Sequence, residues 1–463
     1  MAIIGTIMVP HPPIILPEVG RGEEKKIAET FKAYEEAASF LADLKPDTII
    51  LASPHSVMYS DYFHISPGKR AKGDMGQFRA HDVKFDVEYD EELVTEIAMQ
   101  AESIDFPAGT LGEKNKELDH GTMVPLYFIN KKISGYKLVR VGLSGFSFQD
   151  HYRLGQIIQK VCCESGKRIA FVASGDLSHK LLAEGPYGLA EEGPKYDERI
   201  MDVMGAAFFG ELFDFKEDFC NKAAECGHGS FCMMAGFLDG YDVKVRKLSH
   251  EGTFGVGYGI CTYSPVSGGN RQREFLRLWY EKKIGELSIK KENEDPYVKL
   301  ARETIELYVT EKVKMNLPSD LPDEILNNKA GVFVSIHKEG KLRGCIGTIS
   351  SVYSCIGREI IENAISASTS DPRFNPITPN ELKLLEINVD VLSEAEDISS
   401  KDELDVKRYG VIVSKGHKRG LLLPNLDGVD TVEEQISIAL RKAGLSVNEN
   451  DYKMQRFEVI RHV

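Results

Sequence analysis

Five histidines stand in turn-forming or polar settings: Pro10-His11-Pro12-Pro13, Ser53-Pro54-His55, Asp119-His120-Gly121, Leu177-Ser178-His179 and Gly227-His228-Gly229. Histidine is scarce, with 12 in the chain, and nine of them precede residue 264, so the clustering of polar contexts there carries information. A lone histidine is more often structural, yet imidazole is also the commonest metal ligand and the acid/base group of neutral pH. Two neutral imidazoles and one carboxylate bind one face of a first-row divalent ion and leave the other face to substrate and a small co-ligand. A further histidine outside that set moves protons. Glu225 and Cys226 stand side by side just before Gly227-His228. A carboxylate is a hard donor and a thiolate a soft one, so the two suit different metals. The alternative is a charge near a helix start beside a small buried thiol.

Elements must hold these groups. Ala2–Val9 reads as a β-rich run ending at Pro10, Glu23–Leu44 as a long amphipathic helix, and Asp47–Ala52 as a short strand ending before Ser53-Pro54-His55. Glu91–Ala101 reads as a helix, and Leu138–Leu143 and Arg168–Ala173 as strands that run into Ser144-Gly145 and Ser174-Gly175-Asp176. Strand, turn and helix in repetition predict an α/β domain. Ligands in such sheets bind beyond the carboxyl ends of strands, where His11, His55 and His179 fall. Asp176 either hydrogen-bonds His179 and fixes its tautomer or caps the next segment.

The chain has 463 residues, 42% hydrophobic and 28% charged, which predicts two domains with ordinary globular cores. Its net charge of −14, with no basic run, argues against nucleic acid or anionic lipid as the main partner. No apolar stretch approaches the ~20 residues of a membrane span, and the N-terminus lacks a basic leader, so the expected location is the cytoplasm. None of the eight cysteines forms a CxxC pair, and Cys162 and Cys163 are adjacent, as suits reduced thiols. Pro265–Arg273 is rich in Gly, Ser and charge, Phe275–Ile284 has the pattern of a short helix, Lys290–Asp295 is charged or polar, and residues 265–295 together read as a linker. Beyond them, a helix at Tyr297–Val309, strands at Ala330–His337, Leu342–Ile349, Leu385–Leu392 and Tyr409–Ser414, and a helix at Thr431–Ala443 capped by Gly444 predict an α+β domain over 296–463.

Leu118-Asp119-His120-Gly121-Thr122-Met123-Val124-Pro125-Leu126 and Ser174-Gly175-Asp176-Leu177-Ser178-His179, with His11 before prolines and His55 after a strand, resemble the segments of class III extradiol (LigB-type) ring-cleavage dioxygenases. His250-Glu251-Gly252-Thr253-Phe254-Gly255-Val256-Gly257-Tyr258 is similar to a closing motif of the Memo-like branch of that superfamily. The resemblance spans residues 1–264 and implies an α/β domain with a central mixed sheet flanked by helices. It implies His11 and His55 as metal ligands, Glu225 as the third for Fe(II), with Cys226 as the alternative that would favour softer chemistry or another metal such as Zn or Cu, His179 as catalytic acid/base and His120 as a second histidine that orients substrate or a developing oxyanion. The implied reaction is Fe(II)-dependent extradiol cleavage of a catechol-like aromatic. An oxygen-independent metal lyase or hydrolase, or a non-catalytic metal-binding scaffold, are the alternatives.

Leu342-Arg343-Gly344-Cys345-Ile346-Gly347-Thr348, Asp371-Pro372-Arg373-Phe374 and Gly420-Leu421-Leu422-Leu423-Pro424 resemble AMMECR-type domains. The pairing is similar to the AmmeMemoRadiSam system, whose third member, a radical SAM protein, is an implied partner. Homo-oligomers are frequent among related dioxygenases. Arg343 suits an anion, and Cys345 beside a cation would be a more reactive thiol. The plainer reading is a tight strand with a buried cysteine, and a turn at Asp371–Phe374.

Overall fold

The computed structural model describes residues 2–114, 117–426, 428–449 and 451–463. They form two compact units, Met1–Tyr280 and Glu281–Val463.

The first unit is built on six strands: β1 (Ile3–Val9), β2 (Thr48–Ser53), β3 (Lys137–Gly142), β4 (Ile169–Ser174), β5 (Asp242–Glu251) and β6 (Tyr258–Ser267). Their order in the sheet is β3-β2-β4-β1-β6-β5. β3, β2, β4 and β1 run parallel, with Ala52 beside Ala173 and Val9 beside Ser174, and β6 and β5 complete the sheet antiparallel. Alternation assigns the side chains to two cores. Ile50, Ala52, Phe171 and Ala173 pack on one face, and Ile49, Leu51, Ala170 and Val172 on the other. Strands buried on both faces need helices on both faces, as parallel sheets do. α1 (Ala28–Leu44) and α2 (His120–Asn130) put Tyr34, Leu41, Met123 and Phe128 into one core. α3 (Phe148–Glu164), α4 (Glu192–Ala206) and α5 (His228–Phe237) put Tyr152, Tyr196 and Phe231 into the other. A hairpin of Arg70–Met75 with Ala80–Glu88 lies outside the main sheet.

Within residues 265–295 the expected short helix at Phe275–Ile284 runs longer than its pattern. These residues hold the end of β6, a short turn of helix at Arg271–Arg273 and α6 (Phe275–Glu292). Leu276, Trp279 and Tyr280 pack on the first core, and this apolar anchoring explains a helix in so polar a stretch.

The second unit contains α7 (Pro296–Glu311), β7 (Gly331–Lys338), β8 (Lys341–Gly347), α8 (Ile356–Thr369), β9 (Leu385–Leu392), β10 (Glu396–Ile398), β11 (Gly410–Lys415), β12 (Lys418–Leu422), α9 (Val432–Lys442), β13 (Lys453–Phe457) and β14 (Val459–His462). They form two antiparallel sheets of four strands, β8-β7-β9-β14 and β10-β13-β11-β12. Among the described residues no helix is long and apolar enough to cross a membrane.

Candidate metal centre

β1, β2 and β4 are the middle of the sheet, so the loops after them start from fixed points. β1 is followed by His11, β2 by His55, and β4 by Asp176 and His179. Cys226 comes from the turn before α5, which closes onto the same edge. Gly175 and Gly227 make that closure possible: a Cβ built on Gly175 would lie 2.1 Å from the Gly227 Cα.

His11 Nε2 lies 3.0 Å from His55 Nε2 and 3.6 Å from Cys226 Sγ, and the three donor atoms fall within 4.8 Å of one another. His11 is buried, Cys226 half-buried and His55 exposed, so the cluster is closed behind and open in front. The tautomer of His11 follows from its neighbours. Ser174 Oγ donates to the Gly121 carbonyl at 2.6 Å, so at 3.0 Å from His11 Nδ1 it can only accept. Nδ1 carries the proton, and Nε2 presents a lone pair to His55. Two ring nitrogens 3.0 Å apart need a proton or a cation between them.

The donor set fits a metal. Two nitrogens and a sulfur around one tetrahedral ion lie ~3.3–3.6 Å apart. Burial first, and neighbouring imidazoles second, hold His11 well below its ordinary value; burial does the same to His55, His120 and His179, with His120 at about 4. These rings are neutral at pH 7, the state that binds metal. Burial, then Asp176 and Glu225, push the Cys226 thiol well up. A thiolate there requires a cation, and metal coordination supplies one.

Between the adjacent candidates for the third ligand, the structure brings Cys226 to the imidazoles and turns Glu225 away. The helix Glu217–Ala223 ends at Ala224, which is left-handed at φ +53°, and this swings Glu225 beneath the start of α5. Its carboxylate accepts the His228 N–H at 2.6 Å and the Tyr196 hydroxyl, and burial lifts it to about 7. His228 is itself a core histidine, bonded to Tyr196 at 3.1 Å and the Leu212 carbonyl at 3.0 Å.

His120 opens α2, where Asp119 caps the helix by accepting from Thr122 N at 2.9 Å and from Ser53 Oγ at 2.5 Å. Its ring centroid is 4.0 Å from that of His55 and 5.5 Å from that of His11. His179 Nδ1 donates to the Ala224 carbonyl at 2.6 Å, which leaves Nε2 unprotonated. This carbonyl, not Asp176, fixes the tautomer of His179. Asp176 accepts the His11 backbone N–H at 2.7 Å, while its other oxygen lies 3.9 Å from both His11 Nε2 and His179 Nε2. Burial, with Asp197 nearby, lifts Asp176 to about 7.

His55 and His120 line a cavity of about 920 Å³ whose remaining walls include Lys72, Phe85, Met123 and Arg140. The motif at 250–258 braces the loop behind it. His250 Nε2 pairs with the buried Asp197 at 3.0 Å, and Asp197 accepts the Ser178 N–H at 2.8 Å. Gly257 accepts from Leu177 N at 2.9 Å and donates to the Ser178 carbonyl at 2.8 Å. Sequence reasoning missed Asp197, although its burial within the helical face of α4 is the kind of irregularity that marks a polar brace.

In the second unit, Arg343 is committed to Glu381, with Nε to Oε1 at 3.0 Å, and to the Asn375 carbonyl at 2.8 Å. Cys345 is half-buried, and its backbone N–H donates to Asp371 at 2.8 Å. The 371–374 segment is therefore a turn that reaches back to the Cys345 strand.

The family described as the catalytic LigB subunit of aromatic ring-opening dioxygenase matches residues 5–261, and AMMECR1 matches residues 298–462. Protein CA_C1420 of Clostridium acetobutylicum is 42% identical over 471 residues, covering 100% of this chain and 99% of that protein. A Thermotoga maritima protein is 48% identical over 170 residues, covering 36% of this chain and 98% of its own length. Among solved structures, PH0010 of Pyrococcus horikoshii has 34% identity and a TM-score of 0.34, covering 36% of this chain and 88% of that one.

Proposed function

On the premise that this chain belongs to the family of the catalytic LigB subunit of aromatic ring-opening dioxygenase and carries an AMMECR1 domain behind it, we propose that its first unit is a metal-dependent oxidoreductase that opens a catechol-like ring. The observation that supports this most is the convergence of His11, His55 and Cys226 at a strand edge, with exposed His55 facing the cavity. These three residues would hold one divalent ion, Fe(II) for this reaction. When bound, it would bring a chelating substrate and dioxygen together and pass electron density between them.

The chain's own groups do the rest. His179 Nε2, unprotonated because Nδ1 is spent on Ala224, takes a proton from a substrate hydroxyl and later returns it. His120, neutral and packed on His55, offers an N–H to negative charge that develops on substrate oxygen. Asp176 holds the His11 backbone and lies between the two rings it faces. The test is oxygen uptake and product absorbance with a panel of catechols on iron-loaded protein. Wild type should turn over at least one, and His179→Ala should lose about 10²–10⁴-fold in kcat. Full turnover by His179→Ala would contradict the assignment.

Cys226 favours a second reading. A thiolate in place of a carboxylate suits Zn or Cu better than the usual Fe(II) set, and the same open centre would then polarise a carbonyl or activate water in an oxygen-independent lyase or hydrolase. Turnover that persists under strict anoxia selects this reading; turnover that stops removes it.

A further inference from the structure

The brace behind the first site is built on a buried carboxylate, and stability alone does not explain that choice. Asp197 stands on the inner face of α4, 2% exposed, flanked along the helix by buried Tyr196, Ile200 and Met201. A charge there costs stability that a well-packed apolar side chain would not. Burial pushes the carboxyl above its ordinary value, and the hydrogen bonds from His250 and Ser178 work against that rise. What an apolar side chain cannot do is fix the direction of a backbone N–H, and hydrogen bonds to a carboxylate are the strong, directional kind.

The N–H that Asp197 holds belongs to the residue before His179. Asp197 Oδ1 accepts from Ser178 N at 2.8 Å, and Oδ2 accepts from His250 Nε2 at 3.0 Å. Ser178 is then committed through every polar group it has. Its carbonyl accepts from Gly257 N at 2.8 Å, and its hydroxyl donates to the Ala223 carbonyl at 2.8 Å and accepts from Lys180 N at 2.9 Å. His179 adds two bonds to the same turn, from its N–H to the Ala223 carbonyl at 3.2 Å and from Nδ1 to the Ala224 carbonyl at 2.6 Å. That turn runs directly into Glu225 and Cys226. The imidazole of His179 and the thiol of Cys226 are therefore referenced to one turn, and Asp197 clamps Ser178 against it from the far side.

We propose that Asp197 and His250 are positioning residues for His179. By holding Ser178 in register with Ala223 and Ala224, the pair keeps Nδ1 protonated and leaves Nε2 bare on the Asp176 side, 3.9 Å from the carboxylate that also faces His11. The effect of His250 passes through Asp197 and the Ser178 N–H. The inference rests on the reading of His179 as the group that moves protons.

Nitrogen NMR of the zinc-loaded full-length chain, labelled at histidine, tests it, with the His179 signal assigned by its loss in His179→Gln. The His250 side chain is 32% exposed and β5 is an edge strand, so replacing it leaves the core intact. Wild type should show His179 protonated at Nδ1 and bare at Nε2. His250→Leu and the smaller His250→Ala each remove the partner of Asp197. Both should turn the His179 signal into the other tautomer or a mixture, with the His11 and His55 signals and the zinc stoichiometry as in wild type. His250→Gln, whose amide donates to Asp197, should restore the wild-type signal. On a catechol that is turned over, His250→Leu should lose about 10²-fold in kcat with KM within about twofold, the effect of a misplaced group. The NMR readout needs no substrate, so a chain that opens no ring removes the ring-opening reading and leaves the tautomer to decide the positioning role. Circular dichroism melts accompany each variant. A lowered melt with the His179 signal unmoved would make the pair a structural brace only and overturn the proposal, as would His11 and His55 signals that shift along with His179.

Discussion

Cys226 and Cys345 stand in opposite electrostatic settings. Around Cys226 are two imidazoles kept neutral by burial and two buried carboxylates, Asp176 and Glu225, each lifted to about 7. Near Cys345 are three cations, two of which, Arg373 and Arg461, form ion pairs with Asp371 and Asp390. The first setting withholds a thiolate until a cation arrives; in the second, two of the nearby cations are held by carboxylates of their own. Desolvation governs one region and ion pairing the other, although each is built on a cysteine at the end or edge of a sheet.

The sharpest way to break this comparison is to remove the imidazoles. His11→Ala/His55→Ala should lower metal affinity by more than about 100-fold, read by elemental analysis after anaerobic purification, because losing ligands exceeds the cost of losing their supporting partners. The same variant should leave alkylation at Cys345 unchanged. A metal content equal to wild type would end the assignment.

Next in size is the brace behind the first site. A Cβ at Gly257 would lie 1.9 Å from Asp197 Oδ2, so Gly257→Ala must displace the Asp197–His250 pair or the loop that carries His179. The expected cost is about 1–3 kcal/mol, read as a lower urea midpoint. A midpoint matching wild type would mean that the turn is looser than the geometry implies.

A smaller effect tests the pairing side. Burial works to raise Glu381, but the Arg343 hydrogen bonds, the Thr378 backbone N–H and Lys338 outweigh it and leave the carboxyl at about 2. The Arg373 guanidinium likewise holds Asp371 well below the carboxylate range. A depressed carboxyl adds stability above its unfolded value of roughly 4, and loses it as pH falls through the folded value. The second unit should therefore lose stability between about pH 4 and pH 2. Arg343→Ala should cost about 2 kcal/mol at pH 7 and flatten that acid limb, as a thermal-melt series would read. An unchanged acid limb would remove Glu381 from the account.

Much of this architecture was legible in the sequence because it rests on short-range pattern. β1, β2, β4 and β9 lie within a residue or two of their expected bounds, since apolar runs broken by Pro, Ser or Gly have one consistent reading. The Arg70–Glu88 hairpin was not read, although Phe85 and Val87 alternate with charged residues; its outward face is so polar that the pattern resembles a loop. The choice between Glu225 and Cys226 was beyond sequence because it turns on one backbone angle, the left-handed Ala224, which no residue preference announces. The tautomer of His179 likewise depends on a carbonyl 45 residues away.

The measurement closest to the central claim is the optical spectrum of the cobalt(II)-loaded chain, because sulfur bound to cobalt gives a near-ultraviolet charge-transfer band that carboxylate does not. Wild type should show the band, Cys226→Ser should lose it, and Glu225→Gln should keep both band and stoichiometry. A band absent from wild type, with metal binding lost in Glu225→Gln, would mean that the carboxylate and not the thiol completes the centre.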